Sequence, residues 1–221
     1  MPNLSKTFDG GEVGISNLPP FVLWFTGLPG SGKSTLATAL AERLRSVGVP
    51  VAVLDGDGLR QGLCQDLGFT VADRHEQARR AMQVAHLLFQ NGIVGLVALI
   101  SPFRQDREQA RSLFPPGRFL EIYLDCPREI LQARDPKGLW RLAQSGRLRG
   151  LTGWDAPYEE PTDPDLVLAT GRWDVESTLG RLVAALDSQS LLPRHLVRAL
   201  TQPSAGPAEL VPTSSEAGAG C

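Results

Sequence analysis

The stretch Gly27-Leu28-Pro29-Gly30-Ser31-Gly32-Lys33-Ser34-Thr35 constrains the fold of this chain more than any other. It follows an apolar run, Phe21 to Phe25, and it opens a helical pattern near Lys33. A strand, a glycine-rich turn and a helix start in succession are the setting in which G-x-x-x-x-G-K-[ST] cradles phosphate. Glycines let the backbone curl so that successive N–H groups point inward at phosphate oxygens. The helix N-terminus adds partial positive charge. Lys33 can reach the β- and γ-phosphates, and the Ser34 hydroxyl can ligate Mg²⁺. Without its neighbours the stretch would read as a flexible turn entering a helix. With them it predicts binding of a nucleoside triphosphate, and it is silent on what accepts the phosphoryl group.

The rest of the chain repeats the strand-then-helix alternation. Apolar runs predict strands at residues 21–26, 49–54, 93–100, 119–124 and 165–169. Between them, helical spacing such as Leu36, Ala37, Leu40, Ala41 and Leu44 predicts crossover helices. Longer helices are expected over about 73–91, 105–114 and 175–186, and a short one starting at Leu59. Residues 139–150 read as a basic segment. Five such strands imply a three-layer α/β fold with a five-stranded parallel sheet, which the glycine-rich loop makes a P-loop fold. Ligands of such sheets lie beyond the carboxyl ends of the strands, where Gly27, Asp55, Ser101 and Asp125 fall. The expected division is an irregular lead-in at 1–18, the kinase domain at 19–188, and a short helix plus disordered tail at 189–221. The tail beyond residue 203 has no Lys, Arg or aromatic residue and is poor in apolar area.

Composition excludes several classes. The 221 residues carry a net charge of −2, so no broad basic surface for a nucleic-acid polymer is expected. The apolar run 93–100 is too short to span a bilayer. Asp9 and Glu12 with no apolar core predict no secretion signal. Cys64, Cys126 and Cys221 are odd in number and widely spaced. That fits reduced thiols in a cytoplasmic protein, with Cys64 and Cys126 as small buried hydrophobes.

Two further clusters carry chemistry. Asp55-Gly56-Asp57-Gly58-Leu59-Arg60 places two carboxylates at a predicted strand end. A kinase needs one carboxylate near the metal and another near the attacking hydroxyl. A local role is the alternative, with Asp57 capping the short helix and pairing with Arg60. Arg74, Arg79, Arg80, Arg104 and Arg107 supply guanidinium forks for an oxyanion-bearing nucleotide, or a solvated helix face. Phe69, after a glycine in a polar stretch, suits base stacking or the core. Ser101 reads as an N-cap after a strand.

In order along the chain, Gly27–Thr35, Asp55–Arg60, Asp66–Phe69, Asp73-Arg74 with Arg79-Arg80, Ile100–Arg104, Ala133–Leu139, and Thr152-Gly153 with Pro157-Tyr158-Glu159 resemble the adenylyl-sulfate kinase family. The resemblance covers about residues 18–188 and several of its motifs are specific to that family. It implies transfer of the γ-phosphate of ATP to the 3′-hydroxyl of adenosine 5′-phosphosulfate (APS), giving 3′-phosphoadenylyl sulfate and ADP in sulfate activation. By the same resemblance Gly27, Leu28, Pro29, Gly30, Ser31, Gly32, Lys33, Ser34 and Thr35 hold ATP. Ser34 and Asp55 serve Mg²⁺, and Arg134 and Lys137 belong to a basic lid. Lys33, Asp55, Asp57 and Ser101 are the implied catalytic residues. Asp57, Arg60, Phe69, Arg74, Gln77, Ile100, Ser101, Lys137 and Leu151 are implied to line the APS site. Within it Phe69 stacks on adenine, and Arg60 and Arg74 grip the phosphosulfate. Ser101 is also the family's phosphoserine position, though direct in-line transfer needs no covalent relay. A homodimer and association with an ATP sulfurylase are implied as well.

Three positions depart from the pattern. Gly58 stands where the family has Asn, Gln77 replaces an Asn that contacts APS, and Leu151 replaces a Phe that would sandwich the adenine. Trp154 lies nearby at a different spacing. Losing one face of a stack costs about 1–3 kcal/mol of base binding. All three surround the acceptor, so two alternatives stay open. One is a kinase of a different modified nucleotide. The other is a nucleotide-binding regulatory module with a decayed acceptor site.

Overall fold

The computed structural model describes residues 18–201. The expectations for residues 1–17 and 202–221 lie outside the described residues. The strands are β1 (Val22–Thr26), β2 (Val51–Asp55), β3 (Val94–Ala98), β4 (Phe119–Asp125) and β5 (Leu166–Ala169). The helices are α1 (Lys33–Ser46), α2 (Gly56–Gln61), α3 (Val71–Gln90), α4 (Arg104–Ser112), α5 (Arg128–Arg134), α6 (Leu139–Gln144), α7 (Val175–Ser188) and α8 (Arg194–Thr201). The sheet has five strands in the order β2-β3-β1-β4-β5, and all its pairings are parallel. The expected three-layer α/β architecture is the one observed.

Strand alternation explains the layers. On β1 and the residue before it, Phe21, Leu23 and Phe25 face one side and pack with α1, α7 and α8 through Leu36, Leu40, Leu44, Leu182, Leu186 and Leu196. Val22 and Trp24 face the other side and pack with Ala81, Met82 and Ala85 of α3 and with Phe114 and Phe119. β1 is therefore covered on both faces, which is why its sequence is apolar throughout.

Several boundaries differ from expectation. α3 begins at Val71 because Thr70 and Asp73 form a capping box. α2 begins at Gly56, three residues before Leu59. The basic segment after Gly138 contains helix α6, whose Trp140 and Ala143 are buried. The packed core also continues past residue 188: Leu191, Leu192, Leu196 and Leu200 join the α1–α7 side. Arg43 on α1 donates to the Leu200 carbonyl at 2.5 Å, tying α8 down.

Candidate active site

The phosphate loop is built where β1 passes into α1. Gly27 has φ +147°, and a Cβ there would lie 2.8 Å from the Leu124 carbonyl and 2.9 Å from Ser31 Oγ. Only glycine lets the chain leave the strand so close to β4. Gly32 precedes α1 and no side chain caps the helix, which leaves its N-terminus available to an anion. Buried Lys33 sends Nζ back over the loop, donating to the carbonyls of Gly27 and Leu28 at 2.8 Å each and to Ser31 Oγ at 3.2 Å. Burial, then the Lys137 charge, push its amine down to about 7, against the pull of Asp55 and Asp57.

The acidic turn lies at the carboxyl end of β2. Ser34 Oγ donates to Asp55 Oδ1. Asp55 Oδ2 accepts from the N–H groups of Asp57 (3.0 Å) and Gly58 (3.3 Å), capping α2. The capping role considered for Asp57 thus belongs to Asp55, because α2 starts two residues earlier than that role requires. Asp57 does not pair with Arg60 either. It is exposed and forms an ion pair with Lys137 of the α5–α6 connection. Loop, turn and α5–α6 connection are joined through Ser34, Asp55, Asp57 and Lys137.

Beyond the turn, Phe69 is 63% exposed, which removes the core reading for it. The Arg60 guanidinium lies 4.3 Å from its ring centroid and that of Arg74 5.8 Å. Arg60 also donates to the carbonyls of Leu67 (3.1 Å) and Gly68 (2.7 Å), and Arg74 to those of Phe69 (3.2 Å) and Gly150 (2.8 Å). The other candidate arginines are committed elsewhere. Arg79 and Arg80 pair with Glu76, and Arg80 also with Asp66. Arg104 donates to the Glu160 carbonyl at 2.8 Å, and Arg107 is buried against Glu121 at 2.6 Å. Spacings of three and four residues along α3 account for the pairing with Glu76.

Ser101 is buried with φ +42°. Its Oγ accepts from Trp24 Nε1 at 2.9 Å, and its carbonyl accepts from Arg107 at 2.6 Å. It is not an N-cap, since α4 starts after Phe103. The Arg104 N–H at that start is instead met by Glu159 Oε2 at 2.9 Å. The Ile100 carbonyl accepts from Thr26 Oγ1 at 2.7 Å, which also contacts the Tyr158 hydroxyl at 2.9 Å. Burial pushes that phenol up to about 12.

On the other side of the loop, Arg134 donates to the Thr170 carbonyl at 2.8 Å, beside the exit of β5. Trp140 Nε1 donates to the Pro29 carbonyl at 3.1 Å, so α6 holds the phosphate loop directly. Leu151 is buried with Cys126, Leu131, Trp140 and Ala143, and presents no exposed face to a base. Trp154 is 42% exposed. Gly153 abuts Leu28, where a Cβ would meet Cδ2 at 2.5 Å. Cys64 and Cys126 are free and buried, as expected. Trp140, Thr26 and Tyr158 were not singled out as site residues from the sequence. Unrecognised helical spacing in α6 hid Trp140, and the partners of the other two lie 74 and 132 residues away.

The arrangement offers an anion cradle, a hydroxyl–carboxylate pair suited to a hard cation, and an exposed aromatic platform on one sheet edge. Among the described residues no helix is long and apolar enough to cross a membrane. A family model described as adenylylsulphate kinase matches residues 19–169. An adenylyl-sulfate kinase of Geotalea uraniireducens is 49% identical over 171 residues, 77% of this chain and 82% of that protein. The Mycobacterium tuberculosis APS kinase solved in complex with AMPPNP and APS is 40% identical, with a TM-score of 0.73 over 76% of this chain and 98% of that one. A hexameric APS kinase from Thiobacillus denitrificans is 30% identical, with a TM-score of 0.60 over 80% of this chain and 31% of that one. With the family model spanning most of the described residues and these motifs on one edge, the chain belongs to the adenylyl-sulfate kinase family.

Proposed function

We propose that this chain transfers the γ-phosphate of ATP to the 3′-hydroxyl of APS, giving 3′-phosphoadenylyl sulfate and ADP. The observation that carries the reading is the run of contacts from Ser34 through Asp55 to Asp57 and Lys137, which brings phosphate loop, acceptor turn and lid to one point. The solved relative holding AMPPNP and APS supports the same pair of substrates. Lys33 and the loop amides stabilise charge on the moving phosphoryl group. Asp57 orients the attacking hydroxyl, Phe69 stacks on the base, and Arg134 and Lys137 close over ATP. Ser101, with its hydroxyl buried against Trp24, supports direct transfer rather than a relay through serine.

Ser34 Oγ and Asp55 Oδ1 fit a Mg²⁺ ion, being two oxygen donors already in contact beside the cradle. Among the described residues there is no cluster of three or more His, Cys, Asp or Glu that would make a closed cage. Such a donor set would suit an ion that takes its remaining ligands from water and phosphate, and the ion would supply counter-charge to the polyphosphate. A homodimer, association with an ATP sulfurylase, and a cytoplasmic setting belong to the same proposal.

An ADP-release assay with APS tests it: turnover dependent on APS is expected. No turnover with APS, alongside robust turnover with another nucleotide, overturns the acceptor. The burial of Leu151 favours examining that second acceptor class, because no aromatic stands at that position to close the second face of the base.

A further inference from the structure

The amide of Gln77 is buried on α3 and used at both ends, though neither end points to open solvent. Oε1 accepts from Arg60 Nη2 at 2.7 Å, and Nε2 donates to the Gly56 carbonyl at 3.3 Å. Arg60 in turn lies against one face of Phe69 and holds the carbonyls of Leu67 and Gly68, the two residues that lead into that ring. Phe69 is the most exposed large apolar side chain described, although the Arg74 guanidinium also lies over its ring at 5.8 Å from the centroid. A large apolar ring left in water needs a reason to hold one orientation. Here a cation beneath it and two carbonyl anchors supply it.

We infer that Gln77 is a positioning residue that sets the base platform: it fixes the Arg60 guanidinium under Phe69 and registers that platform against the Gly56 carbonyl of the acidic turn. The inference rests on the APS reading given above, and it separates Gln77 from direct contact with substrate. Gly56 lies between Asp55 and Asp57, so one side chain connects the place where the base stacks to the place where the hydroxyl reacts. An Asn at this position, one methylene shorter, could span only one of the two partners.

Titration of APS into the ADP-saturated protein, with steady-state rates at varied APS and varied ATP, tests this on Gln77→Ala, Gln77→Asn, Phe69→Ala and the Gln77→Ala/Phe69→Ala double variant. Gln77→Ala should weaken APS binding on the order of tenfold, as expected for one charge-assisted hydrogen bond, and leave the KM for ATP unchanged. Gln77→Asn should fall between it and the unsubstituted protein. In the Phe69→Ala background the same change should add less than about twofold, since the residues would act as a unit. Full additivity in that background, an equal loss for ATP, or unchanged APS affinity overturns the inference. If the unsubstituted protein binds no APS, the function reading fails and this inference falls with it. Binding by the unsubstituted protein with unaffected variants overturns the inference alone.

Discussion

Nucleotide binding at pH 8 should draw close to a full proton onto Lys33. The buried amine is held down to about 7, chiefly by loss of hydration and secondarily by Lys137. At pH 8 a group with that value is about 0.9 neutral, and at pH 6 about 0.1. A polyphosphate against Nζ favours the charged form and returns it towards its ordinary range, so binding takes up about 0.9 proton at pH 8 and about 0.1 at pH 6. Titration of AMPPNP in two buffers of different ionisation enthalpy measures this, with Lys33→Met correcting for protons exchanged by the nucleotide itself. The same group tilts stability. Its folded value lies below its unfolded value of 10.5, so the folded chain binds fewer protons between pH 7 and 10.5. Stability from this group therefore rises across that window, and below it the full cost stands at roughly 5 kcal/mol. Lys33→Met should be inactive yet more stable than the unsubstituted protein below pH 7, with the gap closing towards pH 10.5. Absence of excess proton uptake at pH 8 refutes the reasoning. It would mean that the carbonyls of Gly27 and Leu28 and the Ser31 hydroxyl, three acceptors matched to an ammonium group, outweigh burial.

Other substitutions probe separate parts of the site. Phe69→Ala should weaken APS by about 1–3 kcal/mol, the worth of one base–aromatic stack, and spare the KM for ATP; equal effects on both substrates would contradict the platform. Arg107→Leu leaves Glu121 and the Ser101 carbonyl without their buried partner and should cost about 3–5 kcal/mol in urea unfolding, whereas a change below about 1 kcal/mol would show the pair to be dispensable. Gly27→Ala drives a Cβ onto the Leu124 carbonyl and should abolish AMPPNP binding; retained affinity would contradict the loop geometry.

The layered fold was legible because its signals are local. The apolar run of β1, the loop glycines and the spacing of α1 each report on neighbours within a few residues. The placement of the loop and of Asp55 at strand ends was legible for the same reason. The acceptor side was harder because its geometry depends on distant partners. Whether Arg60 faces an anion or a ring depends on Phe69 and Gln77, and whether Asp57 caps or pairs depends on Lys137. Ser101 looked like a cap because it follows a strand, yet the indole of Trp24 and the guanidinium of Arg107, one on another strand and one on α4, determine its place. Leu151 illustrates the opposite error of scale: its position in a motif suggested a binding face, and three-dimensional packing put it inside.

The strand order carries a consequence for how such a site can be altered. β1 stands between β3 and β4, so the acidic turn after β2 and Ser101 after β3 lie on one side of the phosphate loop, and the segments after β4 and β5 on the other. Each side is drawn from a continuous length of chain, roughly 51–114 and 119–170. Lys137 to Asp57, Arg74 to the Gly150 carbonyl, Arg104 to Glu159 and Glu160, and Arg107 to Glu121 are stitches across the seam. A new acceptor specificity could therefore be introduced by exchanging the first length as a module, provided that these stitches, and the contact of Gly153 with Leu28, are kept in register.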